Sequence, residues 1–450
     1  MDIVELLLFP FYIILFYFII NSIAKKFTDP VLQKYLKQLF WVKVLACLAF
    51  TIYIAVFASG DSYNLYYSSG SNISKMILSN PSRIDIFFKS AKDLEPSVYS
   101  QIGSSGYIDS PSNFSVVKIS GLLCLFSFGK YLILNFLFAM LSLTGIWKLF
   151  LFFYKRYPQY YRIIALALIY LPSVQFWSSG ASKEAICIAA LGWITYCGYN
   201  MLVAKSQVLK NAVLLFIASY FLFTIKMYIF ISYAPIFFLF DIAGNIIKSK
   251  HNIINLFLKF VIVSLSVVAI YFIFSSGQDS LGEFAVQDIA QKTFTKNELY
   301  QKIAEVTESS FNLGATLDGS VAGVVKATPF AIVATLFRPF LWEAKKLSSL
   351  ISALESLFLI FITLRPLLKH GPFKFIKVIL FNKTILYSFL FALVFAVFIG
   401  MTTLNFGSLI RYKIPCLPFY TLAMLLADRL LTKNKEANSN NLTQDSLVAA

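Results

Sequence analysis

The sequence predicts an all-α polytopic membrane protein of about eleven transmembrane helices, with re-entrant or interfacial helices on its outer face. Three observations carry this expectation. Hydrophobic residues make up 58% of the 450 and charged residues only 14%, against roughly 45–50% and about 25% in a soluble domain. The mean hydropathy is +0.73. The apolar residues fall in runs long enough to span a bilayer, and Lys/Arg clusters separate the runs. A soluble enzyme and a disordered protein are excluded on composition. The net charge of +17 would suit a nucleic-acid partner if it formed a patch, but here the cations punctuate apolar runs, so no nucleic acid is expected.

The run 4–23 opens the chain. Its leader carries Asp2 and Glu5 and no cation, so it does not read as a signal peptide. Lys25, Lys26, Lys34, Lys37 and Lys43 follow it. The excess of cations on cytoplasmic loops then puts the N-terminus outside and this basic stretch inside. The run 40–58 returns outward into a long polar loop, 60–115, rich in Ser, Tyr and Asn. Further cytoplasmic clusters are Lys155, Arg156 and Arg162; Lys205 and Lys210; Lys248, Lys250 and Lys259; Arg365, Lys369, Lys374, Lys377 and Lys383; and Arg429, Lys433 and Lys435. Between them the expected spans are 131–153, 163–178, 184–203, 211–225, 227–245, 257–275, 347–364, 380–401 and 412–431. The result is a single integral-membrane domain, 1–433, with the N-terminus outside, the C-terminus inside, and outer loops at 60–115 and 276–346. The runs 116–128 and 321–337 are too short or too interrupted (Lys326, Pro329) to cross, and are expected as re-entrant or interfacial helices. Residues 281–309 are expected to be helical, and the polar tail 434–450 disordered and cytoplasmic.

Soluble-enzyme motifs are absent: there is no phosphate-binding glycine loop, no dinucleotide fingerprint, no H-E-x-x-H and no C-x-x-C. Cys47, Cys124, Cys187, Cys197 and Cys416 sit singly in apolar stretches and read as core residues. The two histidines, His251 and His370, form no ligand cluster, so no metal or other cofactor is indicated. With few and scattered cytoplasmic acids, a reaction is expected on the outer face, where a donor must be lipid-borne.

Five places could carry chemistry there. Asp61, in Ser59-Gly60-Asp61-Ser62-Tyr63, stands where a helix leaves the membrane and could act as a general base, or be an ordinary helix-end acid. In Phe176-Trp177-Ser178-Ser179-Gly180-Ala181-Ser182-Lys183-Glu184, expected as an outer turn, Ser182 suits a helix N-cap and Glu184 its first turn. Lys183, a cation where the dipole disfavours one, suits a phosphate. Lys226 interrupts the apolar run 211–241, at the outer turn of a short hairpin or snorkelling to the headgroups. In Phe337-Arg338-Pro339-Phe340-Leu341-Trp342-Glu343, the Arg338 fork suits phosphate oxygens and Trp342 a sugar face or a prenyl chain; Arg338 paired with Glu343 is the structural alternative. Arg411-Tyr412-Lys413, at the outer start of the last span, is the fifth, with plain interface anchoring as the alternative. Lys183, Lys226, Arg338 and Arg411 are expected to meet with Asp61 in one outward cavity, where cations hold a leaving phosphate and the carboxylate deprotonates an acceptor hydroxyl.

On the run Gly60-Asp61 to Tyr67, the run Phe176 to Glu184, the run Phe337 to Glu343 and Arg411-Tyr412, the chain resembles the GT-C superfamily of integral-membrane glycosyltransferases, and bacterial envelope-polysaccharide membrane proteins in particular. The resemblance implies a multi-helix membrane fold in the bacterial inner membrane, a polyprenyl-phosphate-linked sugar donor, a glycan or lipid acceptor, and a catalytic Asp in the first outer loop. Asp61 is the position that matches, although here it follows the second membrane helix and is succeeded by Ser62 rather than by a second acid. A polysaccharide-repeat polymerase and a transporter or flippase of a lipid-linked sugar are the alternatives.

This topology makes Ser104 and Lys369 lie on opposite sides of the membrane. In intact cells, an impermeant thiol reagent is expected to label Ser104→Cys and to spare Lys369→Cys. Equal labelling of the two would overturn the orientation.

Overall fold

The computed structural model describes residues 3–57, 60–104, 106–243, 311, 313–314, 321–344 and 347–448. Among them every regular element is helical, and seven helices are long and apolar enough to cross a membrane, or eight if a bent pair counts as one span. The chain is a multi-pass membrane protein. It divides into two compact units, Met1–Phe230 and Ile231–Ala450.

In the first unit, α1 (Ile3–Lys25) and α2 (Pro30–Phe57) both have span length. Pro30 stands at the first position of α2, where its missing N–H costs nothing, and the Asp29 carboxylate accepts from the Val31 N–H at 2.8 Å. The helix therefore begins ten residues before the expected span at 40. Lys43, which the charge pattern assigns to a cytoplasmic loop, lies near the middle of α2 instead. The polar loop 60–115 is folded: a π-helical turn (Ser62–Tyr67), α3 (Ser68–Ser79), 3-10 turns at Pro81–Phe87 and Ala91–Asp93, and α4 (Pro96–Ile102). α5 (Pro111–Ser127) covers the short run 116–128 and packs on α3.

α6 (Tyr131–Arg156) and α9 (Lys183–Leu202) pack against each other. Gly145 and Gly192 face each other there: a Cβ on Gly192 would lie 1.9 Å from the Gly145 carbonyl oxygen. Small residues let two backbones touch, which is how helices associate where lipid offers no hydrophobic driving force. The crossing expected at 163–178 is not one helix. It is α7 (Tyr161–Leu168) and α8 (Pro172–Trp177), because Pro172 has no N–H to continue the ladder and biases the preceding residue away from helix. The spans expected at 211–225 and 227–245 correspond to two helical stretches, together α10 (Val208–Ile236), that meet at a kink at Lys226 and continue as a π-helical turn Phe237–Ala243. Its backbone leaves helical geometry at Lys226 (φ −146°, ψ 77°). The expected span 257–275 and the expected helix 281–309 lie outside the described residues.

The second unit holds α11 (Val321–Phe337), α12 (Leu347–His370), α13 (Pro372–Phe381), α14 (Lys383–Thr402), α15 (Phe406–Tyr412) and α16 (Leu417–Val448). α11, the run 321–337, packs along α14, where a Cβ on Gly400 would lie 2.3 Å from the Ala331 carbonyl oxygen. α15 and the apolar part of α16 meet at 65°. α16 runs on through the polar residues from Asn434, where composition predicts a disordered tail. Aromatic side chains fill the centre: Tyr233, Phe391 and Phe419 meet with ring centroids 4.9–5.3 Å apart.

The α6–α9 contact has no side-chain layer that can yield. Gly192→Ala is expected to cost at least the roughly 1–3 kcal/mol of an overpacked core and to lower the melting temperature of the purified protein. Gly60→Ala, with nothing within 4 Å of the new methyl group, is expected to leave it unchanged. Equal melting temperatures for the two variants would show that the helices do not touch there.

Candidate functional site

The first unit gathers its polar side chains around the break between α8 and α9. Ser178 to Ser182 form this break, and all five residues are buried. The sequence reads it as an exposed outer turn; the structure encloses it in protein, the condition under which non-helical backbone is tolerated at membrane depth. Gly180 is required here, since a Cβ would overlap the Phe50 ring at 2.0 Å.

Lys43 reaches this break from α2. It is 0% exposed, and its Nζ donates to Ser178 Oγ (2.7 Å), Ser179 Oγ (3.2 Å) and the Ser178 carbonyl (3.3 Å). The hydroxyls can accept because each gives its own proton away: Ser178 to the Val174 carbonyl and Ser179 to the Gln175 carbonyl. The α8 C-terminus adds its favourable dipole. Among the described residues, no carboxylate lies within ion-pair distance of Lys43. Asn135 on α6 ties the break down from the other side, accepting from the Ala181 N–H at 2.9 Å and donating to Thr51 at 2.9 Å.

α9 begins at the end of the same break. Ser182 is its N-cap, accepting from the Ala185 N–H at 3.3 Å. Lys183 is half-buried at the first helical position. Glu184 is 1% exposed and pairs with Lys226, 6% exposed, at 2.8 Å. The non-helical backbone at Lys226 accompanies this reach, and the neighbouring Ile225 carbonyl accepts from the Ser112 hydroxyl at 2.7 Å. Two residues singled out separately in the sequence are thus partners.

Asp61 is exposed at the head of the π-helical turn Ser62–Tyr67. Below it Tyr63, Tyr67 and Tyr131 pack with ring centroids 5.0–5.1 Å apart, and the Ser62 and Tyr131 hydroxyls share a 2.8 Å hydrogen bond. Tyr131 and Tyr67 belong to one cluster with Phe50, Ile54, Tyr53, Phe176 and Trp177. An aromatic floor therefore leads from Asp61 to the residues that open the buried break. Elsewhere in the loop, a hydrogen bond from Lys89 holds the Asp85 carboxyl below its usual range, and on α5 burial pushes the Lys118 ammonium down.

Arg338, Trp342, Glu343, Arg411 and Tyr412 belong to the second unit. Arg338 and Glu343 form a salt bridge, with Arg338 Nε at 3.0 and 3.1 Å from the two carboxylate oxygens. The guanidinium lies 4.4 Å from the Phe311 ring centroid and 5.4 Å from that of Phe406. The fork assigned to phosphate is thus engaged by a carboxylate and two aromatic faces. Trp342 is exposed and stacks on Phe340 at 4.9 Å. α15, which carries Arg411 and Tyr412, starts at Phe406 beside Arg338 and ends next to Lys413. Lys413 is fully buried and donates to the Arg338 carbonyl (3.0 Å) and Ser356 Oγ (3.2 Å). Glu355, also buried, acts on it electrostatically. Sequence reasoning counted Lys43 among the cytoplasmic cations and named Lys413 only together with Arg411 and Tyr412; the signal for the burial of Lys43 was a lysine inside an apolar run.

No group of three or more potential metal ligands occurs among the described residues. No protein-family model, curated protein or solved structure matches the chain.

Removing one partner of a buried pair leaves the other charge uncompensated, at a cost of roughly 3–5 kcal/mol. Lys226→Met is therefore expected to reduce thermal stability sharply. Adding Glu184→Gln to it is expected to restore most of the loss. Additive losses in the single and double variants, read from melting temperatures in detergent, would show that the pair is not coupled.

Proposed function

We propose that the chain is a bacterial inner-membrane glycosyltransferase that takes a sugar from a polyprenyl-phosphate donor on the periplasmic face, during surface-polysaccharide or other glycan assembly. The observation that carries the reading is the exposed Asp61 above the tyrosine floor of Tyr63, Tyr67 and Tyr131, continuous with Phe176 and Trp177. Aromatic faces offer a sugar ring an apolar platform, and an exposed carboxylate can take the proton of an acceptor hydroxyl as the glycosidic bond forms. Lys183, at the first position of α9 and six residues after Trp177 in the chain, is the cation this reading assigns to the leaving phosphate, since helix N–H groups and an ammonium together suit one. In this reading Glu184 and Lys226 hold the break in shape and are not donors to the phosphate.

A second reading is favoured by a different observation. The Glu184–Lys226 pair is almost entirely buried and borders broken helices, and intramembrane ionisable groups at discontinuous helices mark substrate pathways in transporters. A transporter or flippase of a lipid-linked sugar would need this pair and would not need Asp61.

Asp61→Asn keeps the shape and removes the basicity. Turnover, measured as surface-glycan output of cells that depend on the variant, is expected to fall roughly 10²–10⁴-fold, the usual worth of general-base catalysis. Wild-type output from Asp61→Asn, with loss on Glu184→Gln in a protein that still folds, would replace the transferase by the transporter.

A further inference from the structure

In the first unit, α6 and α9 continue side by side from the Gly145–Gly192 contact toward their C-terminal ends. Most side chains there are buried, and those that reach the surface form a furrow between the two helices. Trp193, Tyr196 and Tyr199 on α9 are half-buried, as is Lys148 on α6, and Lys155 is exposed. Their contacts put them on a common side. The Trp193 indole N–H donates to Thr144 Oγ at 3.0 Å. The Lys148 ammonium lies 4.6 Å from the Trp193 ring centroid and 4.3 Å from that of Tyr196. Lys155 lies 5.8 Å from the Tyr199 ring centroid. Lys210, exposed in the first turn of α10, is near enough to act electrostatically on Lys148 and on Cys197 of α9.

Ring faces attract an ammonium but carry no net charge. Among the described residues, the ammonium groups of Lys148, Lys155 and Lys210 have no ion pair and no hydrogen bond. The chain supplies little that could compensate them. Between Asp109 and Asp241 the only carboxylate in the sequence is Glu184, which Lys226 holds at the opposite end of α9. Asp29 does reach the end of α6, but there it accepts from the Tyr154 hydroxyl and from the Val31 N–H. Three like charges therefore converge on one furrow with no protein anion to meet them, and an anion from elsewhere satisfies them.

Depth selects the source of that anion. Lys148 stands eight residues before the end of α6, a helix of span length, so it is recessed by about 12 Å along the axis. A recessed cation flanked by Trp and Tyr, the residues that mark head-group level, meets its anion from within the bilayer. Basic clefts between membrane helices bind anionic head groups in this way. We propose that the α6–α9 furrow binds an anionic glycerophospholipid, with the head-group phosphate between Lys148 and Lys210 and Lys155 at the rim. The site does not rest on the proposed transfer chemistry: Tyr196 is 13 residues from Lys183 on α9, about 20 Å along the helix.

The test is native mass spectrometry of the full chain released from nanodiscs that contain equal amounts of phosphatidylglycerol and phosphatidylcholine with identical chains. Wild type is expected to retain phosphatidylglycerol about tenfold or more over phosphatidylcholine. Lys148→Met, which keeps an unbranched apolar side chain against the rings, is expected to bring the ratio to about twofold or less, and Lys148→Arg to keep it. Where Lys148→Met elutes as aggregate, the double variant Lys155→Gln, Lys210→Gln changes only exposed side chains and is expected to show the same loss. The pair Lys374→Gln, Lys377→Gln removes two exposed cations from the second unit and is expected to leave the preference intact. Equal retention of the two lipids by wild type would overturn the proposal, as would an unchanged preference in the furrow variants or an equal loss in the second-unit pair. Bound phosphatidylglycerol is expected to withstand excess inorganic phosphate; its release would assign the furrow to a soluble anion and overturn the lipid.

Discussion

A charged group that no water reaches must be met by protein oxygens, and this single requirement shapes the first unit. Lys43 sits inside α2 with no exposed surface. Its ammonium takes two serine hydroxyls and a carbonyl from the end of α8. A continuous helix could not supply them, because its carbonyls are already engaged along the ladder. The break after α8 frees these acceptors, and Pro172 and Gly180 make the break possible. Asn135 and Thr51 then hold the broken backbone against α6 and α2. Glu184 follows from the same break: the first turn of α9 favours an acid, and its burial in turn draws Lys226 out of helical geometry.

The second unit meets the same requirement by different means. Lys413 is as buried as Lys43, and its partners are again a carbonyl, that of Arg338, and a serine hydroxyl, that of Ser356. Here the lysine itself stands in the bend between α15 and α16. Its carbonyl partner belongs to an arginine whose side chain is clamped by Glu343 and by the faces of Phe311 and Phe406. In both units the bent backbone and the buried cation are one feature, since each satisfies the groups the other would leave unpaired.

The fold class was legible in composition and in the spacing of basic clusters, because a bilayer permits few solutions to an apolar chain. Helix ends with local signals were also legible, as at Ser182 and Glu184. What could not be read was partnership. Glu184 and Lys226 each stood out as a charge in an apolar setting, but nothing local says that residues 42 positions apart share a bond. Arg338 and Glu343, five apart, could be paired on paper. Lys43 was assigned to the basic loop, because a lysine near the end of an apolar run looks the same whether it anchors at the headgroups or lies in the core. The start of α2 at Pro30 decides between the two, and it is set by Asp29 and Pro30 rather than by hydropathy. The break at Pro172 shows the reverse: a proline was visible, but the apolar residues around it outweighed it.

The bond from Lys43 to Ser178 also imposes an order in time. A lysine at the centre of a helix resists entry into the bilayer by roughly 2.5–3.5 kcal/mol. The oxygens that relieve it are 135 residues further along the chain. At about 5–20 residues per second of synthesis, the ribosome supplies them roughly 7–27 s after Lys43 emerges. During that interval α2 must wait with its ammonium turned toward the headgroups or toward the insertion machinery, and it can settle only when the serines of the α8–α9 break arrive. For this protein, membrane insertion and tertiary folding are consequently not successive stages, because the second helix completes the first only through the second.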